Sequence, residues 1–176
     1  MFAAEIRRKR IDRLRAFSKW RWHVDELFVK INGERHCLWR AVDHEGEVLE
    51  AYVSKRRDRK AALKFLKKAM RRYGPPRVIV TDRCPSYRTA LKDLHAEGLQ
   101  ISGHYPNNQV ENSHLPFRRR ERAMLRFRRM RSLQKFAAVH SSVHNHFNLE
   151  RHLYHRDHFK LNRQAELAEW RQLGAA

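Results

Sequence analysis

One carboxylate stands apart in this chain. Glu111 follows an Asn-Asn pair in the stretch Y-P-N-N-Q-V-E-N-S-H-L-P-F-R-R-R-E-R-A-M-L-R-F-R-R-M, residues Tyr105 to Met130. Arg118, Arg119, Arg120, Arg122, Arg126, Arg128, Arg129 and Arg131 come soon after it. A lone acid at the mouth of so basic a segment needs a neutralising partner, and a divalent cation is one. Phosphates on the arginine face would complete the arrangement. Hard divalent cations take oxygen ligands, and Mg²⁺ is typically held by a few carboxylates together with water and substrate phosphate. Other acids must therefore be able to join Glu111. The candidates are Asp25, within W-H-V-D-E, and Asp82, closing V-I-V-T-D. Glu26 competes with Asp25, but strand alternation sends it to the opposite face.

The elements that would carry these acids are legible from pattern. Trp22–Ile31 is rich in aromatic and β-branched residues, as a strand is. Asn32-Gly33 is a strong hairpin signal and returns the chain along a second strand, His36–Asp43. The turn at His44-Glu45-Gly46 leads to a third strand, Val48–Ser54. Asp58 opens a helix to Tyr73 with Ala62, Leu66, Ala69, Met70 and Tyr73 on one face; Gly74 and Pro75-Pro76 stop it. Lysines and Arg71 occupy its other face. Arg77–Asp82 is a short apolar run suited to a buried parallel strand. Pro85 opens a second helix to Glu97, which Gly98 closes. Leu99–Tyr105 follows as a short strand, and then comes the Glu111 segment, in which Pro116 removes a backbone donor and interrupts the helix. Ser132 reads as the N-cap of a long helix to about Asn148. Arg151–Ala176 is polar, with a short helix carrying Leu167, Trp170 and Leu173. Residues 2–19 read as a basic lead-in helix.

Three antiparallel strands, a helix, a strand, a helix, a short strand and further helices give an α/β order of the ribonuclease H-like kind. It is a mixed sheet, three antiparallel strands plus parallel ones, flanked by helices. In that arrangement the first and fourth strands are neighbours, so Asp25 and Asp82 share one rim of the sheet, where ligands sit on open α/β sheets. A third acid from the following helix closes a cluster able to hold Mg²⁺ or Mn²⁺. Two such ions activate a nucleophile and stabilise the leaving oxygen of an in-line displacement at phosphorus. The organisation expected is a lead-in over residues 1–20, a catalytic domain over 21–150 and a polar tail over 151–176.

Composition sets the partner. The 176 residues carry a formal net charge of +20, with 33% charged and 41% hydrophobic residues. That excess runs from end to end and points to a polyanion, most often nucleic acid. An anionic membrane is the rival partner, but the sequence holds no apolar run near the roughly 18–20 residues of a spanning helix. Cys37 and Cys84 lie far apart and form neither a zinc motif nor a disulfide framework. A reducing, cytoplasmic setting is the default for such cysteine usage.

The remaining chemical groups read more plainly. His140 and His144 are spaced like a metal-ligating pair but lack a third ligand, so they read as packed helix residues. His146, His152, His155 and His158 read as pH-dependent positive charge near DNA. Trp20, Trp22 and Trp39 read as core, and Ser141-Ser142 beside His140 is too weak a pattern for a nucleophile. The chain has no Gly-rich phosphate loop that would imply ATP use.

Taken together, W-H-V-D-E, T-D followed by S-Y, N-N-x-V-E-N-S-H and F-R-R-R-E-R-A-M-x-x-F resemble the DDE transposases of bacterial insertion sequences, in the insertion-sequence-six branch. The resemblance spans roughly residues 2–171. It implies a ribonuclease H-like fold with Asp25, Asp82 and Glu111 as the metal-binding catalytic triad. It further implies two Mg²⁺ ions, with Mn²⁺ able to substitute, and DNA strand cleavage and transfer at the element's ends. Arg118, seven residues after Glu111, matches the basic residue such enzymes carry on the same helix face. The partners implied are the element's terminal repeats and target DNA, with a homodimer or larger assembly on DNA and no membrane. About twenty residues precede the first strand, too few for the helix-turn-helix that usually reads the repeats. Two other readings remain: a non-catalytic DNA-binding remnant of a transposase, and a ribonuclease H-like nuclease acting on another substrate.

Overall fold

The computed structural model describes residues 21–44, 46–103, 108–124, 127–147 and 155–175; the side chains of residues 108, 109, 111, 112 and 173–175 lie outside that description. The expected lead-in helix, Trp20, Arg126 and His152 fall outside the described residues, as does the Glu111 side chain.

Five strands form one sheet: β1 (Arg21–Ile31), β2 (Glu34–Val42), β3 (Val48–Ser54), β4 (Val78–Thr81) and β5 (Gln100–Ser102). Their order is β3-β2-β1-β4-β5. The first three are antiparallel, while β4 pairs in parallel with β1 and β5 in parallel with β4. This is the mixed sheet that the strand pattern implies. Asn32 and Gly33, at φ 49° and 86°, make the tight hairpin between β1 and β2, the conformation that an Asn-Gly pair adopts most readily. The same turn holds a later segment. The Asn32 amide donates to the Phe127 carbonyl at 3.2 Å, and its side-chain amide donates to the Arg128 carbonyl at 2.9 Å.

The helices are α1 (Arg59–Tyr73), α2 (Pro85–Asp93), α3 (Asn108–Ala123), α4 (Met130–His146) and α5 (Arg156–Ala175). Side-chain alternation along β1 divides the core between the two faces of the sheet. Trp22 and Val24 join Trp39, Phe65, Leu66 and Tyr87 beneath α1 and α2. Leu27, Val29 and Ile31 join Phe117, Leu133 and Ala137 beneath α3 and α4. Trp22 and Trp39 are core residues, as expected.

Helix α1 begins where the sequence places it, with the Asp58 carboxylate accepting from the Ala61 amide at 2.8 Å. It ends at Gly74, which adopts φ 83°. Helix α2 stops earlier than expected, at Asp93. His95 takes a left-handed conformation at φ 50°, and the His95 and Ala96 amides return to the Lys92 and Leu91 carbonyls at 3.0 and 2.9 Å. That pair of bonds closes the helix without a glycine, and Gly98 sits instead in a short 3-10 turn, Glu97–Leu99.

Three further expectations are corrected. The N-cap of α4 is Arg129, with no side-chain cap bond, and Ser132 lies inside the first turn. Helix α3 continues through Pro116 to Ala123. The C-terminal helix is 20 residues long rather than short. Trp170 anchors it, its ring 5.3 Å from both His146 and Phe147. His146 is consequently buried, with a ring nitrogen 3.1 Å from the Glu166 carbonyl, so its ring is not part of an exposed, DNA-facing surface.

Helix α4 also closes the free edge of β3. The Gln134 side chain accepts from the Val53 amide and donates to the Ala51 carbonyl, both at 2.8 Å. Asn145 does the same at Val48, at 2.8 and 2.9 Å. Two side-chain amides thus stand in for a neighbouring strand at an edge that would otherwise present unpaired backbone groups.

Candidate active site

Asp25 lies in the middle of β1, and Asp82 follows the last residue of β4. The parallel register pairs Val24 with Thr81, so the next step along each strand is Asp25 beside Asp82. Asp25 points to the α3 side of the sheet, where its Oδ2 lies 3.8 Å from His114 Nδ1. Burial, with Arg40 and Arg118 nearby, holds the His114 pKa down to about 3. The imidazole is therefore neutral, and this approach is a packing contact rather than an ion pair. Glu111 occupies the first turn of α3, three residues before His114, a spacing that puts both on one helix face.

Arg40 is the unforeseen residue on this side. It is directly opposite Asp25 on β2 and 1% exposed. Its Nη1 donates to the Ser113 carbonyl of α3 at 3.0 Å. Burial lowers the Arg40 pKa to about 10, which leaves the group charged near neutral pH. The bond ties α3 to the sheet in the turn that carries Glu111. Ser113 is close to Pro116, where a missing N–H weakens the helix's own ladder.

Asp82 is engaged on the other side. Its Oδ1 accepts from the Cys84 amide at 2.9 Å, and its Oδ2 from Arg57 Nη2 at 3.2 Å. The same Arg57 nitrogen pairs with Glu26 Oε1, while Tyr87 donates its hydroxyl to Glu26 Oε2 at 2.7 Å. Burial pushes the Glu26 pKa up, opposed by the Tyr87 bond, and the nearby Asp82 charge adds to the rise. Tyr87 is wholly buried against Trp39, and burial followed by the Glu26 charge pushes its phenol well up. Among the described side chains, the ligand atoms of Glu26, Asp82 and Cys84 lie within 4.8 Å of one another. Alternation does send Glu26 away from Asp25, as the sequence implies. The pattern gave no sign that Asp82 would be shared with Glu26, because the link runs through Arg57, in the turn between β3 and α1.

The arginine run follows. Arg118 is half-buried and paired with Glu121 at 2.6 Å. Arg119, Arg120, Arg122, Arg128, Arg129 and Arg131 are exposed. His140 and His144 stack on each other on α4, with His140 against Phe117 and Phe136, the packed role expected of them.

The donor chemistry fits a hard divalent ion. Asp25 and Asp82 offer carboxylate oxygens with side chains 15% and 33% exposed, so both retain contact with solvent. Cys84 is buried, and a soft thiol suits Mg²⁺ poorly. No helix among the described residues is long and apolar enough to cross a membrane.

Comparison with known proteins bears on the family and the fold. A family model described as a DDE domain, of the IS240 transposase type, matches residues 19–150. The transposase for insertion sequence-like element IS431mec of Staphylococcus aureus is 36% identical over 105 residues, covering 57% of this chain and 46% of that protein. The transposase of insertion sequence element IS257 in transposon Tn4003, from the same species, matches equally. The chain thus spans about half the length of these relatives. Among solved structures, the HTLV-2 integrase catalytic core domain in complex with magnesium, in its dimeric form, superposes with a TM-score of 0.55 at 16% identity. That match covers 76% of this chain and 89% of the integrase core. It establishes the ribonuclease H-like fold, and the family match over residues 19–150 establishes the kinship: this chain belongs to the DDE-domain family of insertion-sequence transposases.

Proposed function

We propose that the chain is the catalytic region of an insertion-sequence transposase, cleaving DNA strands at the element's ends and transferring them to target DNA. Residues 21–150 form its catalytic domain, behind a basic lead-in and ahead of a polar tail. Asp25, Asp82 and Glu111 would hold two Mg²⁺ ions, which Mn²⁺ can replace. When bound, the ions supply activation of the attacking oxygen and stabilisation of the leaving one. The observation that carries this reading is the approach of Asp25 to His114, because it sets Asp25 against the helix face on which position 111 lies. The magnesium bound by the HTLV-2 integrase core supports the choice of ion.

The chain's own residues do the rest. Arg40 fastens the turn of α3 next to Glu111. Neutral His114 packs against Asp25 without competing for a cation. The exposed arginines 119, 120, 122, 128, 129 and 131 take DNA phosphates and fix its path without reading its bases. Arg118 is placed to join them. The reaction is set in the bacterial cytoplasm, and two DNA segments must meet in it, which suits an assembly of at least two copies; the HTLV-2 core is known in dimeric and trimeric forms.

The test uses labelled duplexes with and without candidate terminal repeats, in Mg²⁺, Mn²⁺ or EDTA. Cleavage and strand transfer are expected with either metal. Both should fall at least about 100-fold in EDTA and in Asp25→Ala, since metal stabilisation of the transition state is worth several kcal/mol. Activity that persists in EDTA would contradict the reading.

A further inference from the structure

Arg57 has no part in the chemistry described so far, yet it sits on one of the proposed ligands. Its position is fixed from both sides. Trp39 Nε1 donates to Ser54 Oγ at 2.8 Å, and Ser54 Oγ donates to the Arg56 carbonyl at 2.7 Å. On the far side Asp58 is locked as the cap of α1. Between these anchors one guanidinium nitrogen bridges two carboxylates, Glu26 Oε1 and Asp82 Oδ2. The two acids differ in depth: the Glu26 side chain is 3% exposed, that of Asp82 33%. Glu26 is further held by Tyr87 and cannot turn to solvent without breaking that bond. Arg57, 37% exposed, is the most exposed of the three.

We propose that Arg57 is a resident counter-cation for Asp82, competing with the divalent ion for that carboxylate, and that buried Glu26 is the seat that keeps Arg57 when the ion displaces it. This rests on the assignment of Asp82 as a metal ligand. A cation placed on Asp82 meets the guanidinium charge a few ångströms away, and like charges at such range repel strongly even where solvent screens them. Glu26 offsets this by retaining Arg57 in an ion pair after Asp82 is given up. Without Glu26, Asp82 is the carboxylate left to pair with Arg57 among the described side chains. Arg57 and Glu26 are therefore positioning residues that act on the metal through Asp82, and their effects on ion affinity have opposite signs.

The experiment measures Mn²⁺ binding directly, by calorimetry and by the electron paramagnetic resonance signal of free Mn²⁺, without DNA. Glu26→Gln alone should weaken Mn²⁺ binding. Adding Arg57→Gln to it leaves two neutral amides that can still bond to each other and to Tyr87. This double variant should bind Mn²⁺ roughly tenfold tighter than Glu26→Gln, from the loss of one nearby positive charge. Arg57→Gln alone should also bind more tightly than wild type. Thermal melts confirm that each variant is folded. A purely structural role for the network would weaken binding in all three, and that result overturns the proposal. Asp82→Asn separates the two claims. If it weakens Mn²⁺ binding while the Arg57 variants bind no tighter, the competition is wrong and the ligand assignment stands. If Asp82→Asn leaves binding unchanged, the ligand assignment fails and the proposal with it.

Discussion

Asp25 and Glu26 are adjacent in sequence and face opposite sides of the sheet. Asp25 looks toward α3 and Glu26 toward Tyr87 and Arg57. That division was legible, because strand alternation needs only the hydrophobic pattern around it. The partners were not legible. Arg40 and Arg57 are two of 39 lysines and arginines, and only tertiary packing reveals that one is buried and the other bridges two acids. The histidines behave similarly. His140 reads as a packed helix residue, and the fold adds that burial, Arg40 and His144 lower its pKa from 6.5 to about 4. The sign follows. The unfolded chain takes up a proton near pH 6.5, whereas folded His140 takes none until about pH 4. The stability that neutral His140 confers is thus present above pH 6.5 and lost as pH falls from 6.5 to about 4. His114, held down to about 3, extends the same decline. Melting temperature should fall across this window, and less steeply in His140→Leu, as thermal scans at a series of pH values would record. A slope identical to wild type would mean that His140 titrates normally in the fold.

Among the elements, the first hairpin and both ends of α1 were readable because turn and cap chemistry is local: Asn32-Gly33, Asp58 and Gly74 each act within a few residues. The end of α2, the start of α4 and the contacts made with distant chain were not. His95 ends α2 in a conformation that a histidine seldom adopts. The α5 helix is long because Trp170 finds His146 and Phe147. Gln134 and Asn145 look like ordinary polar residues of an amphipathic helix, yet they cover the β3 edge. Removing either amide leaves a backbone N–H and a C=O without their partners, so Gln134→Ala and Asn145→Ala should each cost about 1–3 kcal/mol. Urea unfolding should show a lower midpoint with an unchanged slope. The double variant should also self-associate more readily, because an open edge recruits other strands. Wild-type stability in both single variants would show that these bonds contribute nothing net.

For the whole molecule, a net charge of +20 and an exposed arginine segment predict binding that is dominated by phosphate contacts. If about six phosphates are neutralised, the logarithm of the binding constant should fall with that of salt concentration at a slope near −5. Arg119→Ala with Arg122→Ala should flatten the slope by about two. Duplex binding indifferent to salt would remove the basic face from the account. The carboxylate assignment has a more direct test. A crystal of the protein soaked in Mn²⁺ should show anomalous density between Asp25, Asp82 and Glu111, with carboxylate oxygens at about 2.0–2.2 Å. Arg57 should then be withdrawn from Asp82 and held by Glu26. Density seated instead among Glu26, Asp82 and Cys84, with Glu111 turned away from Asp25, would contradict the account.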